Sequence, residues 1–179
     1  MTELLKIERI QKANSKNYNY MEKLLVEAFP IDEYRDLDSM RLYTDEVTDF
    51  HNNIITDNNI PIGIITYWNL IDFYYIEHFA IDTKHRNKGY GNRVLKVISK
   101  KINRPIILEV ELPENEMAKR RIKFYEQAGF TILQRNYHQP PYRKEGKRIP
   151  MYLMISGDLK QTILPELAEK RIHKKIYNT

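Results

Sequence analysis

Gly89 and Gly91 stand one residue apart in the stretch HRNKGYGNRVLKVISK, residues 85–100, directly ahead of a segment with helical spacing. Glycine accepts unusual backbone angles and lets a ligand come close to the main chain. A helix start presents N–H groups that have no acceptor within the helix, at the positive end of its dipole. The combination makes an anion cradle suited to a pyrophosphate. Its backbone donors would be Asn87, Lys88, Gly89, Tyr90, Gly91 and Asn92, with positive charge added by Arg86 and Lys88. No Gly-Lys-Ser/Thr follows, so this is not a Walker loop, and no third glycine completes a dinucleotide fingerprint. On spacing alone, a plain turn leading into a helix is the alternative reading.

The elements around the glycines decide how they are presented. Met21, Leu24, Leu25 and Ala28 recur at helical spacing over 16–29, ahead of Pro30, and a second helix is expected over 34–44. Two strands flank the polar turn Asp57–Asn59. The aromatic and β-branched run 72–82 predicts a strand, 89–102 a helix, and the apolar run 104–112 a buried strand. A helix over 114–129 ends at Gly129, and the segments FTILQRNYH and RIPMYLMIS read as two more strands. The tail 162–177, with Ile163, Leu164, Leu167 and Ile172 among basic residues, predicts an amphipathic helix that packs on its own domain or on a partner such as a second copy. Helices mixed with hairpin-linked strands, and a strand–helix–strand unit at 72–112, indicate an α+β fold.

With 179 residues and no linker or repeat, one domain over 1–179 is expected. The sequence has no cysteine, which excludes disulfides and a thiol nucleophile and suits a reducing cytoplasm. The five histidines do not cluster, so no metal site is expected. No run approaches the ~18 apolar residues of a membrane span, and no signal peptide is expected. The net charge of +5 is uneven: residues 1–60 hold seven Lys/Arg against twelve Asp/Glu, and residues 61–179 hold twenty-two against twelve. This reads either as a solvated surface or as an acidic area for a cationic substrate beside a basic area for an anionic ligand. A nucleic-acid partner is not favoured, because the basic residues form no dense block and no nucleic-acid motif.

Two segments carry a family resemblance. EHFAIDTKHRNKGYGNRVL resembles the cofactor motif of the GNAT superfamily of N-acetyltransferases, an apolar strand and a short link leading to Arg/Gln-x-x-Gly-x-Gly/Ala at a helix start. RRIKFYEQAGF, 120–130, is similar to that family's later helix, which typically ends Tyr-Glu-x-x-Gly-Phe. The resemblance covers about 5–156, leaving the C-terminal helix outside. It implies a mixed, mostly antiparallel twisted sheet with flanking helices, and acetyl-CoA bound where the parallel strands 73–82 and 105–112 splay apart. The main chain of Phe79, Ala80 and Ile81 would pair with the pantetheine arm and supply an oxyanion donor. Where the family often carries an Asn on the second helix this chain has Ala118, and Asn115 is the candidate substitute.

Acetyl transfer from a thioester to an amine needs a deprotonated amine, an oxyanion donor and a proton for the departing thiolate. Family position makes Tyr125 the candidate acid. Glu77, a carboxylate in an apolar and aromatic strand, is the candidate base, directly or through water, with an edge carboxylate in a salt bridge as the alternative. By period two it shares a face with Phe79 and Ile81, with His78 opposite, and burial would raise its pKa. Glu109 and Glu111 read as structural or solvated, with one of them lining the cleft as the alternative, and Lys119, Arg120 and Arg121 as a solvated helix face or contacts to the cofactor's 3′-phosphate. The Pro-rich loop 137–144 reads as a hairpin loop or as a border of the acceptor pocket. The acids of 28–38 point to a cationic primary amine, small molecule or peptide, as acceptor. The competing reading is an acyl-CoA-binding regulator of the same fold without turnover.

Overall fold

Local signals set most of the elements. Ser15 caps α1 (Lys16–Ala28) by accepting from the Tyr18 amide, and Asp36 caps α2 (Leu37–Glu46) by accepting from the Ser39 amide. Strands β2 (Phe50–Asp57) and β3 (Ile60–Asn69) are joined through Asn58 and Asn59, both in the left-handed region that a tight hairpin needs. β4 (Tyr74–Ile81) leads through a single turn, Thr83–His85, to α3 (Tyr90–Lys101). β5 (Ile106–Glu111), α4 (Glu116–Gln127), β6 (Thr131–Gln139) and β7 (Ile149–Ser156) follow, then α5 (Pro165–Ile172) and a π-helical turn, His173–Tyr177.

The computed structural model describes residues 5–159 and 163–179. With β1 (Leu5–Arg9) included, the strands form one seven-stranded sheet in the order β1-β2-β3-β4-β5-β7-β6, antiparallel except for the central pair β4–β5. The fold is the mixed, mostly antiparallel α+β layering expected. β1 (Leu5–Arg9) is an addition: this short, charged edge strand pairs with β2 alone, so its sequence carries little pattern. The last helix is shorter than 162–177, and residue 162 itself lies outside the described residues.

Two cores cover the two faces of the sheet. On one, Val94, Leu95 and Ile98 of α3 and Ile122 and Tyr125 of α4 pack on Ile65, Ile76 and Leu108. On the other, Met21 and Leu25 of α1, Met40 of α2, and Ala168 and Ile172 of α5 pack on Phe50, Trp68 and Tyr75. The C-terminal segment thus packs on its own chain, burying Ile172, Ile176 and Tyr177 while Leu164 stays exposed. No helix among the described residues is long and apolar enough to cross a membrane.

Gly63 of β3 sits opposite Ile81, where an added Cβ would lie 2.5 Å from the Ala80 carbonyl oxygen. Backbone cannot yield as a side chain can, so Gly63→Ala is expected to lower stability by about 1–3 kcal/mol. Urea denaturation reads this as a lower midpoint at constant slope; an unchanged midpoint would show that the two strands are not held this closely.

Candidate active site

β4 and β5 pair in parallel over only three positions, Tyr74↔Ile106, Tyr75↔Ile107 and Ile76↔Leu108. Beyond them β4 keeps β3 on one side as far as Gly63↔Ile81 and loses β5 on the other. The Asp82 amide donates to the Ile62 carbonyl at 2.9 Å, so alternation turns the main chain of Ala80 toward β3 and that of Phe79 and Ile81 into the gap. The Ile81 carbonyl accepts there from Arg86 Nε at 2.9 Å. A cavity of about 650 Å³ fills the gap. It is lined by Phe79, Ala80 and Ile81, by Arg86, Asn87, Gly89, Tyr90, Gly91 and Asn92, and by Tyr125.

The two glycines serve different ends. Gly89 is the N-cap of α3 at φ 75°, and a Cβ there would meet nothing within 4 Å, so the space in front of it is open to a ligand. Gly91 faces the protein: its Cβ would stand 3.0 Å from the Phe124 ring. Asn87 also has positive φ, and the amides of Asn87, Lys88 and Gly89 donate to no other backbone carbonyl among the described residues. An open cradle of main-chain donors at the positive end of a helix fits a pyrophosphate. The Lys88 side chain is exposed and does not line the cavity. Asn115 departs from expectation: it caps α4, its Oδ1 accepting from the Ala118 amide at 2.8 Å, and it does not line the cavity. Lys119 bonds Glu116 at 2.9 Å and Arg121 bonds Glu111, while Arg120 and Arg121 line the cleft.

Strict alternation puts Glu77 and His78 on opposite faces, and the structure corrects this. Thr66 pairs with His78 and Tyr67 with Ile76, which leaves Glu77 as the extra residue of a β-bulge. Both side chains therefore point to the α1/α2/α5 side. Glu77 forms an ion pair with Arg35, both side chains being at most 5% exposed. It also accepts from Trp68 Nε1 at 2.7 Å and from the Tyr142 hydroxyl at 2.9 Å. Burial alone would raise its pKa, as expected from sequence; Arg35 above all, helped by the Trp68 bond, reverses this and holds it below the ordinary carboxylate value. Glu77 is thus a poor proton acceptor. His78 is saturated by Thr66 Oγ1 at 3.2 Å and the Glu33 carbonyl at 2.9 Å, and burial depresses its pKa.

The α1/α2 side of the cleft is built from segments that sequence only partly exposes. Phe29, Pro30 and Glu33 line it, so the acidic segment does form a wall. Arg143 ties that wall to the 137–144 loop by donating to the Tyr34 carbonyl at 2.8 Å, and the loop brings Tyr142 to Glu77. Burial, then the Glu111 charge, raises the pKa of Glu33. Glu109 lines the cavity, the alternative that the sequence left open for it beside a structural or solvated role. It accepts from the Tyr137 hydroxyl, from Gln139 Nε2 at 2.7 Å and from the Tyr177 hydroxyl at 2.9 Å. Burial nevertheless pushes its carboxyl up to about 7. On the opposite face Tyr125 lines the same cavity, its phenol pushed up by burial to about 12. Tyr137 and Gln139 belong to the 137–144 segment that the sequence offers as a pocket border; for Arg35 the one sequence signal is a lone Arg among the acids of 28–38, and Tyr177 carries none.

A splayed parallel pair beside a glycine-turned helix start defines an acyl-CoA-type transferase cleft, and the comparisons agree. The family model "Acetyltransferase (GNAT) domain" matches residues 49–132. A Bacteroides thetaiotaomicron protein described as an acetyltransferase from the GNAT family is 46% identical over 97% of this chain and 99% of its own, with a TM-score of 0.92. A spermidine N-acetyltransferase chimera that includes the Vibrio cholerae enzyme shares the fold at 16% identity, over 85% of this chain and 94% of its own, with a TM-score of 0.61. A Bacillus subtilis acetyltransferase in complex with CoA does so at 16% identity, over 87% and 99%, with a TM-score of 0.58. No curated protein matches the sequence. The chain belongs to the GNAT family of acetyltransferases.

Because Arg35 and Glu77 are buried as a pair, losing one partner strands a charge. Arg35→Met is expected to lower stability by about 3–5 kcal/mol, and Glu77→Gln added to it to recover a large part. Chemical denaturation of both single variants and the double closes the cycle; additive losses would mean that the two side chains do not interact. The lowered Glu77 pKa makes its contribution present above the unfolded carboxylate value and lost as pH falls through the folded one.

Proposed function

We propose that this chain is an N-acetyltransferase that moves the acetyl group of acetyl-CoA to a primary amine carrying positive charge, a small molecule or a peptide. The carrying observation is the gap where β4 and β5 part, with main-chain donors on one strand and an open helix N-terminus at its end. The amides of residues 87–92 would hold the pyrophosphate, and Phe79 and Ile81 would pair with the pantetheine arm. An amide facing the gap would donate to the oxyanion. A neighbour of the same fold, from Bacillus subtilis, is described in complex with CoA, which fits a CoA ligand here. The described residues are read as one domain, with the C-terminal segment packed into the core on the α1/α2 face of the sheet.

Tyr125 is the proposed proton donor to the departing thiolate. Its burial keeps the phenol protonated through the working pH range, so it enters the reaction as an acid. A positive acceptor is supported by Glu33 and Glu109 on the cleft wall, neither of which forms an ion pair with a cation among the described residues as Glu77 does with Arg35. A neighbour of the same fold named for spermidine fits that chemistry.

Release of free CoA thiol on adding amines tests the reading. Diamines and peptide N-termini are expected to react, and a screen in which only neutral or acidic amines do would refute the charge preference. Tyr125→Phe is expected to lower kcat by about 10²-fold with acetyl-CoA affinity nearly unchanged. Wild-type kcat in that variant would remove Tyr125 from the proton transfer.

A further inference from the structure

We propose that a second cavity, on the α1/α2/α5 side of the sheet beside the start of β4, binds a small carboxylic acid with an aromatic body. The cavity holds about 590 Å³, room for such a molecule, and shares no lining residue with the cleft where β4 and β5 part. Its floor is aromatic and aliphatic: Tyr43 from α2, Trp68 near the end of β3, and Leu70 and Ile71 from the link to β4. The Tyr43 and Trp68 rings meet edge to face, their centroids 5.7 Å apart. Arg171, Lys174 and Lys175 of the C-terminal segment stand along one side. The site goes beyond the acetyltransferase reading, because none of its residues belongs to the machinery assigned to acetyl transfer.

The charges select an anion. Among the described residues that line the cavity Asp49 is the one acid, and Lys175 takes it at 2.8 Å. Arg171 is paired with Asp72. Lys174 is exposed and pairs with no acid among the described residues, so one positive charge is left over. The carbonyl end of α2 would repel an anion, but Arg9 covers it, donating to the Val47 carbonyl at 3.2 Å. The Lys175 ammonium lies 6.0 Å from the centre of the Trp68 ring, which places charge and aromatic surface within the span of one small molecule. A single spare cation beside an apolar floor suits one carboxylate. A phosphate group, with its three acceptor oxygens, would call for more donors.

The rim is held in an unfavourable conformation. Ile71 has φ 70°, where a β-branched side chain is strained, and it is 81% exposed. Asn69 Oδ1 accepts from its amide at 3.2 Å and Arg104 donates to its carbonyl, so the turn is fixed with the apolar side chain outward. Strain of this kind concentrates at ligand sites. A ring lying against Ile71 would take its apolar surface out of water.

Trp68 is the chain's one tryptophan, so its emission reports on this cavity directly. The test titrates that emission with phenylacetate, using benzyl alcohol and acetate as probes that lack the charge or the ring. Phenylacetate is expected to shift the emission saturably in the millimolar range or tighter, and more weakly as salt is added, with both controls binding several-fold less well. Lys174→Glu is expected to weaken phenylacetate about tenfold, with its emission before addition matching wild type. Ile71→Asp, a residue that tolerates positive φ, is expected to weaken it as well. A flat titration, equal binding of either control, or wild-type affinity in Lys174→Glu would overturn the proposal. Sedimentation of wild type and Ile71→Asp separates the other occupant: a wild-type dimer that Ile71→Asp disperses would mean that a second copy covers this cavity, and would overturn it too. None of these readouts involves turnover, so the proposal and the acetyltransferase reading stand or fall separately.

Discussion

The early parting of β4 and β5 governs everything else in this molecule. A parallel pair in the middle of a sheet normally runs its full length, because each unpaired N–H and C=O in the interior is costly. Here pairing stops at Ile76 and Leu108, and the next residue on each strand is a glutamate, Glu77 and Glu109. Each is tied by hydroxyl groups on the α1/α2/α5 side, Tyr142 for the first, Tyr137 and Tyr177 for the second. The divergence leaves main-chain groups of β4 facing a cavity, which is where an extended ligand can complete the sheet.

The two faces contribute different chemistry to that gap. The α3/α4 side supplies an open helix start and the buried phenol of Tyr125. The opposite side supplies carboxylates in two environments, one locked by Arg35 and one held by neutral donors. Environment alone separates them, with the Glu77 pKa lowered and that of Glu109 raised to about 7. The same residue type, one step past the same point of divergence, is thus given two different proton affinities.

Much of the fold was legible because its signals are local. Ser15, Asp36 and Asn115 act as helix caps through atoms within three residues, and the helical spacing of 16–29 needs only a core to pack on. Gly89 was legible for a similar reason: an αL position ahead of a helix favours glycine whatever surrounds it. Gly91 carries the same letter for a tertiary reason, the approach of Phe124 from α4. Asn115, read as a cofactor contact, is a cap, because an Asn just before a helix satisfies the nearest amide first.

The sequence alone determined the helices and strands other than β1, the glycine-led helix start at 87–92 and the presence of Tyr125 at the end of a family-like helix, since these rest on neighbours within a few positions. Only the tertiary structure decided what the carboxylates do. One extra residue in β4 turned Glu77 to the face of His78, and a lone Arg35 from a distant segment then reversed the effect of burial on its pKa. Glu109 gained its setting from residues up to 68 positions away, among them a tyrosine near the end of the chain. A pKa depends on which charges and donors lie within a few ångströms, and that proximity is created by packing rather than by order along the chain.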